Sequence, residues 1–342
     1  MSSLTDTLGR SLRDLRISLT DRCNFRCPYC MPAEIFGEHY EFLPREKILS
    51  FEEIERVSRL LVGLGVRKIR LTGGEPLLRQ GLDLLIRRLV TITGVDDLAL
   101  TTNGFLLARY ANELYDAGLH RLTISIDSLA EDVYRNMNGR DYGTAAVLEG
   151  VEAATAAGFD SIKVNCVVQR GVNDHTFVDL ARHFKGTPHI VRFIEFMDVG
   201  NRNAWNLSRV VTAREIMESI HSEMPLEPVS PNYVGEVANR YAYQDGLGEI
   251  GIIGSVTQPF CGDCGRFRLS TDGRLITCLF AADGPSLREP MRSGATDTEL
   301  LELIQGIWNA RGDRYSEERA AHTDSDGTVQ SSQKIEMYQI GG

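Results

Sequence analysis

Between Leu15 and Phe196, short β-branched or aliphatic runs alternate with longer amphipathic stretches, the pattern of parallel strands joined by crossover helices. Six strands are predicted, over Leu15–Thr20, Lys68–Thr72, Leu98–Thr102, Leu122–Ile126, Ser161–Val168 and Ile190–Phe196. Helical patterns over Phe51–Gly63, Gly81–Thr91, Leu106–Ala117, Gly143–Ala157 and Thr176–Phe184 separate them. Six such units are too few for the usual eight-membered barrel, so an open barrel and a doubly wound sheet both fit. In either, chemistry collects at the strands' C-terminal ends. Cys23 follows the first strand there, Gly73-Gly74-Glu75-Pro76 the second and Asn103-Gly104 the third. Beyond Asn201 the pattern changes to a helix over Thr212–Ser222, a break at Pro225, Pro228 and Pro231, and Gly-rich strands near Ile250–Val256. A polar, mobile tail is expected from Ala321 to Gln333.

The 342 residues suffice for one large domain or one with an appendage. No segment approaches the roughly 20 apolar residues of a membrane span, and no membrane association is expected. The opening MSSLTDTLGR has no basic region followed by an apolar run, so export is not expected and the cytoplasm is the expected location. In that reducing compartment the seven cysteines suit metal ligation or catalysis better than disulfides. A net charge of −10 argues against nonspecific nucleic-acid binding. An anionic ligand must then meet local positive charge, which arginine supplies in bidentate form. No G-x-x-x-x-G-K-[ST] loop offers a phosphate cradle.

Cys23, Cys27 and Cys30 follow a C-x3-C-x2-C spacing on a loop. Three such thiolates can hold three corners of an iron–sulfur cubane and leave its fourth iron open. A zinc knuckle needs a fourth ligand, for which His39 is the only nearby candidate. Cys261, Cys264 and Cys278 form a second triad, C-x2-C-x13-C, again one ligand short of a zinc ribbon. Cys166, inside an apolar strand, reads as a small buried hydrophobe.

The stretch from Arg16 to Pro32, RISLTDRCNFRCPYCMP, resembles the signature of radical S-adenosylmethionine (SAM) enzymes, and specifically of the GTP 3′,8-cyclase family of molybdenum cofactor biosynthesis. The resemblance extends through Thr72-Gly-Gly-Glu-Pro76, the segments Phe42–Lys47, Met197–Asn201 and Gly254–Phe260, the second triad and the final Ile340-Gly-Gly342. One departure is Gly265, where many relatives carry Thr or Asn.

The resemblance implies an incomplete (βα)6 TIM-type barrel with a C-terminal extension carrying a second cluster, divided as residues 1–245 and 246–342. It implies two [4Fe–4S] clusters, on Cys23, Cys27 and Cys30 and on Cys261, Cys264 and Cys278, with SAM as cosubstrate. By position, Tyr29, Gly74, Glu75, Ser125 and Met197 match SAM contacts. Arg16, Arg70, Thr101, Lys163, Arg192, Arg266, Phe267 and Arg268 match GTP contacts, and Gly341 and Gly342 a terminus that enters the active site. The implied reaction uses a 5′-deoxyadenosyl radical to take the C3′ hydrogen of GTP, after which C3′ attacks C8. A flavodoxin or ferredoxin as electron donor, hand-off of product to cyclic pyranopterin monophosphate synthase, and a monomer or homodimer follow from the same resemblance. A radical SAM peptide-modifying enzyme and a noncatalytic iron–sulfur or zinc protein are the alternatives.

Overall fold

Each βα unit buries one face of a strand under a helix, and the chain builds its sheet from that step. The computed structural model describes residues 4–233, 235–329 and 333–341. The first part runs β1 (Asp14–Ser18), α1 (Phe51–Gly63), β2 (Lys68–Thr72), α2 (Leu82–Val90), β3 (Asp97–Thr102), α3 (Leu107–Asp116), β4 (Arg121–Ser125), α4 (Glu131–Asn138), α5 (Ala145–Ala157), β5 (Lys163–Val168), α6 (Phe177–Phe184) and β6 (Ile190–Glu195). The second part adds α7 (Ala213–Glu223), β7 (Leu226–Val229), β8 (Asn239–Tyr243), β9 (Glu249–Ile253), β10 (Arg266–Leu269), β11 (Leu275–Ile276), α8 (Arg288–Arg292), α9 (Asp297–Asn309), α10 (Tyr315–Glu318) and α11 (Met337–Ile340).

All six strands expected before residue 200 are present, but α4 was not anticipated. It is short and polar, with only Val133, Tyr134, Met137 and Asn138 buried, so its apolar periodicity is faint. The expected break around Pro228 is instead the strand β7. It occupies the sheet's edge, where proline's missing N–H is tolerated. Capping boxes start three helices: Ser50 with Glu53 for α1, Thr212 with Glu215 for α7 and Thr296 with Glu299 for α9.

The sheet order is β11-β10-β1-β2-β3-β4-β5-β6-β9-β8-β7. β9 joins β6 in parallel and β10 joins β1 in parallel, so consecutive C-terminal strands extend opposite edges of the six-stranded arc. Strands on both sides of residues 245 and 246 share this sheet, since β8 pairs with β9.

Burial alternates along the strands, as period-2 side-chain placement requires. In β5 Val164, Cys166 and Val168 are buried while Lys163, Asn165 and Val167 are half-buried; in β6 Val191, Phe193 and Glu195 are buried while Ile190, Arg192 and Ile194 are half-buried. The apolar set packs with the helices into one continuous core. The other set lines the inside of the arc, so residues from β1, β2, β3, β5, β6, β9 and β10 face a common cavity.

The expected mobile tail is a hydrogen-bonded structure wherever it is described. Thr323 bridges to Val329, and Asp324 Oδ1 accepts from Asp326 N and Thr328 N at 3.0 and 2.8 Å. Residues 330–332 of that tail lie outside the described residues. On either side, Arg319 Nε donates to Asp198 Oδ1 at 2.8 Å and Lys334 Nζ to Asp198 Oδ2 at 2.7 Å. All three side chains are buried. Replacing Asp198 by Ala leaves two buried cations against one another, and should destabilise the fold by about 3–5 kcal/mol. Urea unfolding of the variant reads this directly, and a loss below about 1 kcal/mol, the scale of an exposed pair, would contradict the assignment.

Candidate active site

Backbone pairing carries the first cysteine loop away from β1. Leu19 N donates to Thr72 O at 2.9 Å, Gly74 N to Thr20 O at 2.7 Å and Glu75 N to Arg22 O at 2.8 Å, so the loops after β1 and β2 continue side by side. A Cβ on Gly74 would stand 2.3 Å from Arg22 O, and one on Gly73 2.7 Å from Thr20 O. These glycines are therefore required by the approach of the cysteine loop itself, whereas the sequence suggested the approach of a ligand. Arg26, buried, ties the loop by donating to the carbonyls of Cys23 and Phe25, both at 2.7 Å.

Cys23, Cys27 and Cys30 line a cavity of about 1120 Å³ together with Tyr29, Gly74, Ser125 and Met197. Burial, and then the Glu75 charge, pushes the Cys23 thiol up to about 12, and burial with the charge of neighbouring thiolates raises Cys27 and Cys30 as well. Such thiols release their protons to a bound cation rather than to water, so this donor set suits iron. Among the described residues no His, Cys, Asp or Glu side chains converge on a point that would hold one metal ion. Cubane thiolates each bind a separate iron and need no such convergence.

Glu75 differs from the sequence-based expectation. Its carboxylate is buried away from the cavity, accepting from Thr102 Oγ1 at 2.7 Å, Asn103 N at 2.8 Å and Leu77 N at 3.0 Å. Burial pushes it up to about 7 against those hydrogen bonds. The side chain thus fixes the loop after β2 to the end of β3. Asp127, by contrast, was missed. It accepts from the Tyr29 hydroxyl at 2.8 Å and from Val167 N at 2.9 Å, and so sets the ring's position in the cavity wall. Its place two residues beyond Ser125, at the end of a strand, was the available signal.

Cys261, Cys264 and Cys278 line a second cavity of about 1050 Å³. Burial opposes the Cys264 thiolate, but Arg266, Arg311 and Arg268 outweigh it and hold the thiol below its ordinary value. Burial pushes Cys278 up to about 11. Cys166 lies fully buried in the core, its thiol donating to Asp127 O at 3.4 Å. At Gly265 a Cβ would lie 2.3 Å from Ser11 O, so a larger residue there would require the segment before β1 to move.

Seven arginines and one aspartate line this second cavity. Strand register sets three of them shoulder to shoulder: Arg70 on β2 is the Cα partner of Arg16 on β1, and Arg16 of Arg268 on β10. Arg192 reaches the same space from β6, donating to Asn165 Oδ1 at 2.9 Å. Arg70 is held by the hydroxyls of Thr101 and Thr123, each at 3.0 Å. Burial first, and then repulsion by neighbouring arginines, pushes Arg70 down to about 10, Arg192 and Arg268 to about 9, and Arg16 well below its ordinary range.

Two of the other expected residues sit elsewhere. Lys163 lines neither large cavity but stands near Arg192, Arg121 and Arg70. Phe267 points to the other face of β10, fully buried with its ring 4.8 Å from Trp308, so its side chain packs in the core. Lys68 and Arg121, not anticipated, join Arg16, Arg70, Arg192 and Arg266 around a smaller space toward the strands' N-terminal ends.

Thr101, Asn165, Ile194, Met197 and Leu279 belong to the walls of both large cavities. The chain's end reaches this region. Met337 and Tyr338 line the first cavity, and Arg268 donates to the carbonyl of Gly341. Gly341 has φ +70°, and a Cβ there would lie 2.1 Å from Thr72 Cγ2, so glycine alone fits. Gly342 lies outside the described residues.

The Radical SAM superfamily matches residues 17–184 and the Molybdenum Cofactor Synthesis C family residues 189–317. A GTP 3′,8-cyclase of Acidothermus cellulolyticus is 52% identical, over 99% of this chain and 94% of that protein. One of Staphylococcus saprophyticus is 48% identical over the whole of both chains. Among solved structures, Streptococcus suis SuiB bound to S-adenosylmethionine superposes with a TM-score of 0.61 at 13% identity, over 91% of this chain and 68% of that one. anSMEcpe with bound AdoMet and a peptide gives 0.54 at 14% identity, over 96% and 93%. These two likenesses concern the fold, whereas the full-length relatives carry the closer kinship. The chain belongs to the GTP 3′,8-cyclase family of the radical SAM superfamily.

Proposed function

We propose that this protein is a GTP 3′,8-cyclase that converts GTP to (8S)-3′,8-cyclo-7,8-dihydroguanosine 5′-triphosphate in molybdenum cofactor biosynthesis. Two cysteine-lined chambers sharing a wall, one of them lined by arginines on β1, β2, β6 and β10 that form no ion pair with a carboxylate among the described residues, support this reading above all. In it Cys23, Cys27 and Cys30 hold one [4Fe–4S] cluster and Cys261, Cys264 and Cys278 the other. The first cluster, when bound and reduced, supplies the electron that splits SAM to the radical that removes the C3′ hydrogen.

The chain's part is binding, orientation and exclusion of water. Tyr29, Gly74, Ser125 and Met197 wall the SAM position, with Asp127 fixing the tyrosine ring. Arg16, Arg70, Arg192, Arg266 and Arg268 neutralise the triphosphate, whose charge offsets the repulsion among them. Thr101, on the shared wall, positions the nucleotide between the chambers. Gly341 brings the terminus against Arg268; a part for Gly342 in the active site rests on the family resemblance alone. We further propose the division at residues 245 and 246 as the functional boundary. A cytoplasmic location, a flavodoxin or ferredoxin donor, hand-off to cyclic pyranopterin monophosphate synthase, and a monomer or homodimer complete the proposal. Among the described residues no helix is long and apolar enough to cross a membrane.

Anaerobic reconstitution should load about eight irons, as two cubanes. Cys27→Ala should lose one cluster together with SAM cleavage, and Cys264→Ala should spare the first cluster. Iron analysis giving a single cluster, or stoichiometric zinc, would reject the assignment.

Substrate binding should depend on pH through Lys163, which burial, then Arg192 and Arg121, push down to about 8. A bound triphosphate favours the protonated amine, so binding above that pH must take up a proton. GTP affinity should therefore fall with rising pH above about 8 by up to about tenfold per unit. Lys163→Met should bind GTP more weakly at pH 7 and show a shallower dependence above pH 8. Equilibrium binding across pH 7 to 9 decides it, and an unchanged slope in the variant would remove Lys163 from the substrate site.

A further inference from the structure

The second cysteine triad is gripped from behind by a group that the reaction itself does not use. Asp6, its side chain fully buried, accepts from Arg10 Nε at 2.6 Å and from Arg311 Nη1 at 3.0 Å. Both arginine side chains are 2% exposed. Arg10 Nη1 donates to the carbonyls of Cys261 and Asp313 at 2.9 and 2.8 Å. Arg311 Nη1 donates to Cys264 O at 2.6 Å, its Nε to Thr277 O at 3.2 Å and its Nη2 to the Cys264 sulfur at 3.3 Å. The two guanidinium groups thus hold the backbone at or beside all three cysteines and one of the sulfurs. Arg10 Nη2 is buried with no hydrogen-bond partner, on a side chain that lines the cavity. A buried donor left unmet is unfavourable, and an acceptor on a bound cluster would relieve it.

We propose that Asp6, Arg10 and Arg311 form a clamp that positions the second cluster and raises its reduction potential. Asp6 is absent from the cavity wall, while both arginines are part of it, so the donors face the cluster and the carboxylate stands behind them. Hydrogen bonds to cluster sulfur and nearby positive charge favour the reduced, more negative form. Asp313 also borders the cavity, its carboxylate 3.4 Å from Arg311 Nε, and it offsets part of this charge. Removing an arginine or the aspartate should therefore move the potential in opposite directions, which a purely structural role would not do. The inference rests on the two-cluster reading above.

The test is an anaerobic potentiometric titration of the reconstituted full chain with SAM, following each cluster by electron paramagnetic resonance. The second cluster's signal is the one that persists in Cys27→Ala. Arg311→Met should lower the second cluster's reduced-to-oxidised ratio at fixed potential about tenfold, equivalent to about 59 mV for one electron. Asp6→Asn should raise that ratio, and the first cluster's midpoint should stay put in both. Equal midpoints in all three proteins, or shifts of the same sign, would overturn the clamp. Should Arg311→Met fail to retain the second cluster, Asp6→Asn decides alone, with an unchanged or lowered midpoint overturning the proposal. Wild-type protein holding one cluster would instead defeat the two-cluster reading.

Discussion

The structure turns on a row of like charges placed on the inside of a curved sheet. Arg70, Arg16 and Arg268 are neighbours in register across three adjacent strands, and Arg192 faces the same space from β6. Like charges opposite one another in a sheet oppose its pairing, and desolvation makes the arrangement worse. The outward faces of the same strands offset this with Leu15, Ile17, Ile69, Leu71, Phe193 and Phe267, all buried in one core. The fold is thus stabilised from outside and left electrostatically unsatisfied within, a condition that a polyanion relieves.

That arrangement needs the C-terminal part of the chain. β9 and β10 are consecutive in sequence yet extend opposite edges of the arc, and the segment linking them carries Cys261 and Cys264. The second triad therefore faces the same interior as Arg16 and Arg70. The buried ion pairs of Asp198 with Arg319 and Lys334 then fix the chain beyond α10, so that α11 delivers Tyr338 to the first chamber and Gly341 to Arg268.

Local pattern made the six βα units and both cysteine triads legible, because alternation and spacing are properties of short segments. The arginine row was legible only in part. Arg16 and Arg70 lie in strongly patterned strands, but Arg266-Phe-Arg-Leu269 is a four-residue strand whose partner is some 250 positions away. Its period-2 alternation nonetheless implies that Phe267 cannot share a face with Arg266 and Arg268. The hydrogen bonds of the Glu75 carboxylate to Thr102 and Asn103 were not legible, because they join loops that lie 27 and 28 positions apart. Asp6, Arg10 and Arg311 were invisible for a similar reason, since their meeting depends on residues about 300 positions apart. The tail was read as mobile from its polarity, and its hydrogen bonds to itself and to Asn206 are turn-specific or long-range.

In the proposed reaction, the two cysteine chambers and the arginine-lined interior act together to cyclise GTP. Anaerobic incubation of the reconstituted protein with dithionite, SAM and GTP, scored together for 5′-deoxyadenosine and cyclised nucleotide, tests it most directly. Both products should form, and both should vanish with Cys27→Ala. Formation of 5′-deoxyadenosine with GTP recovered unchanged would contradict the account.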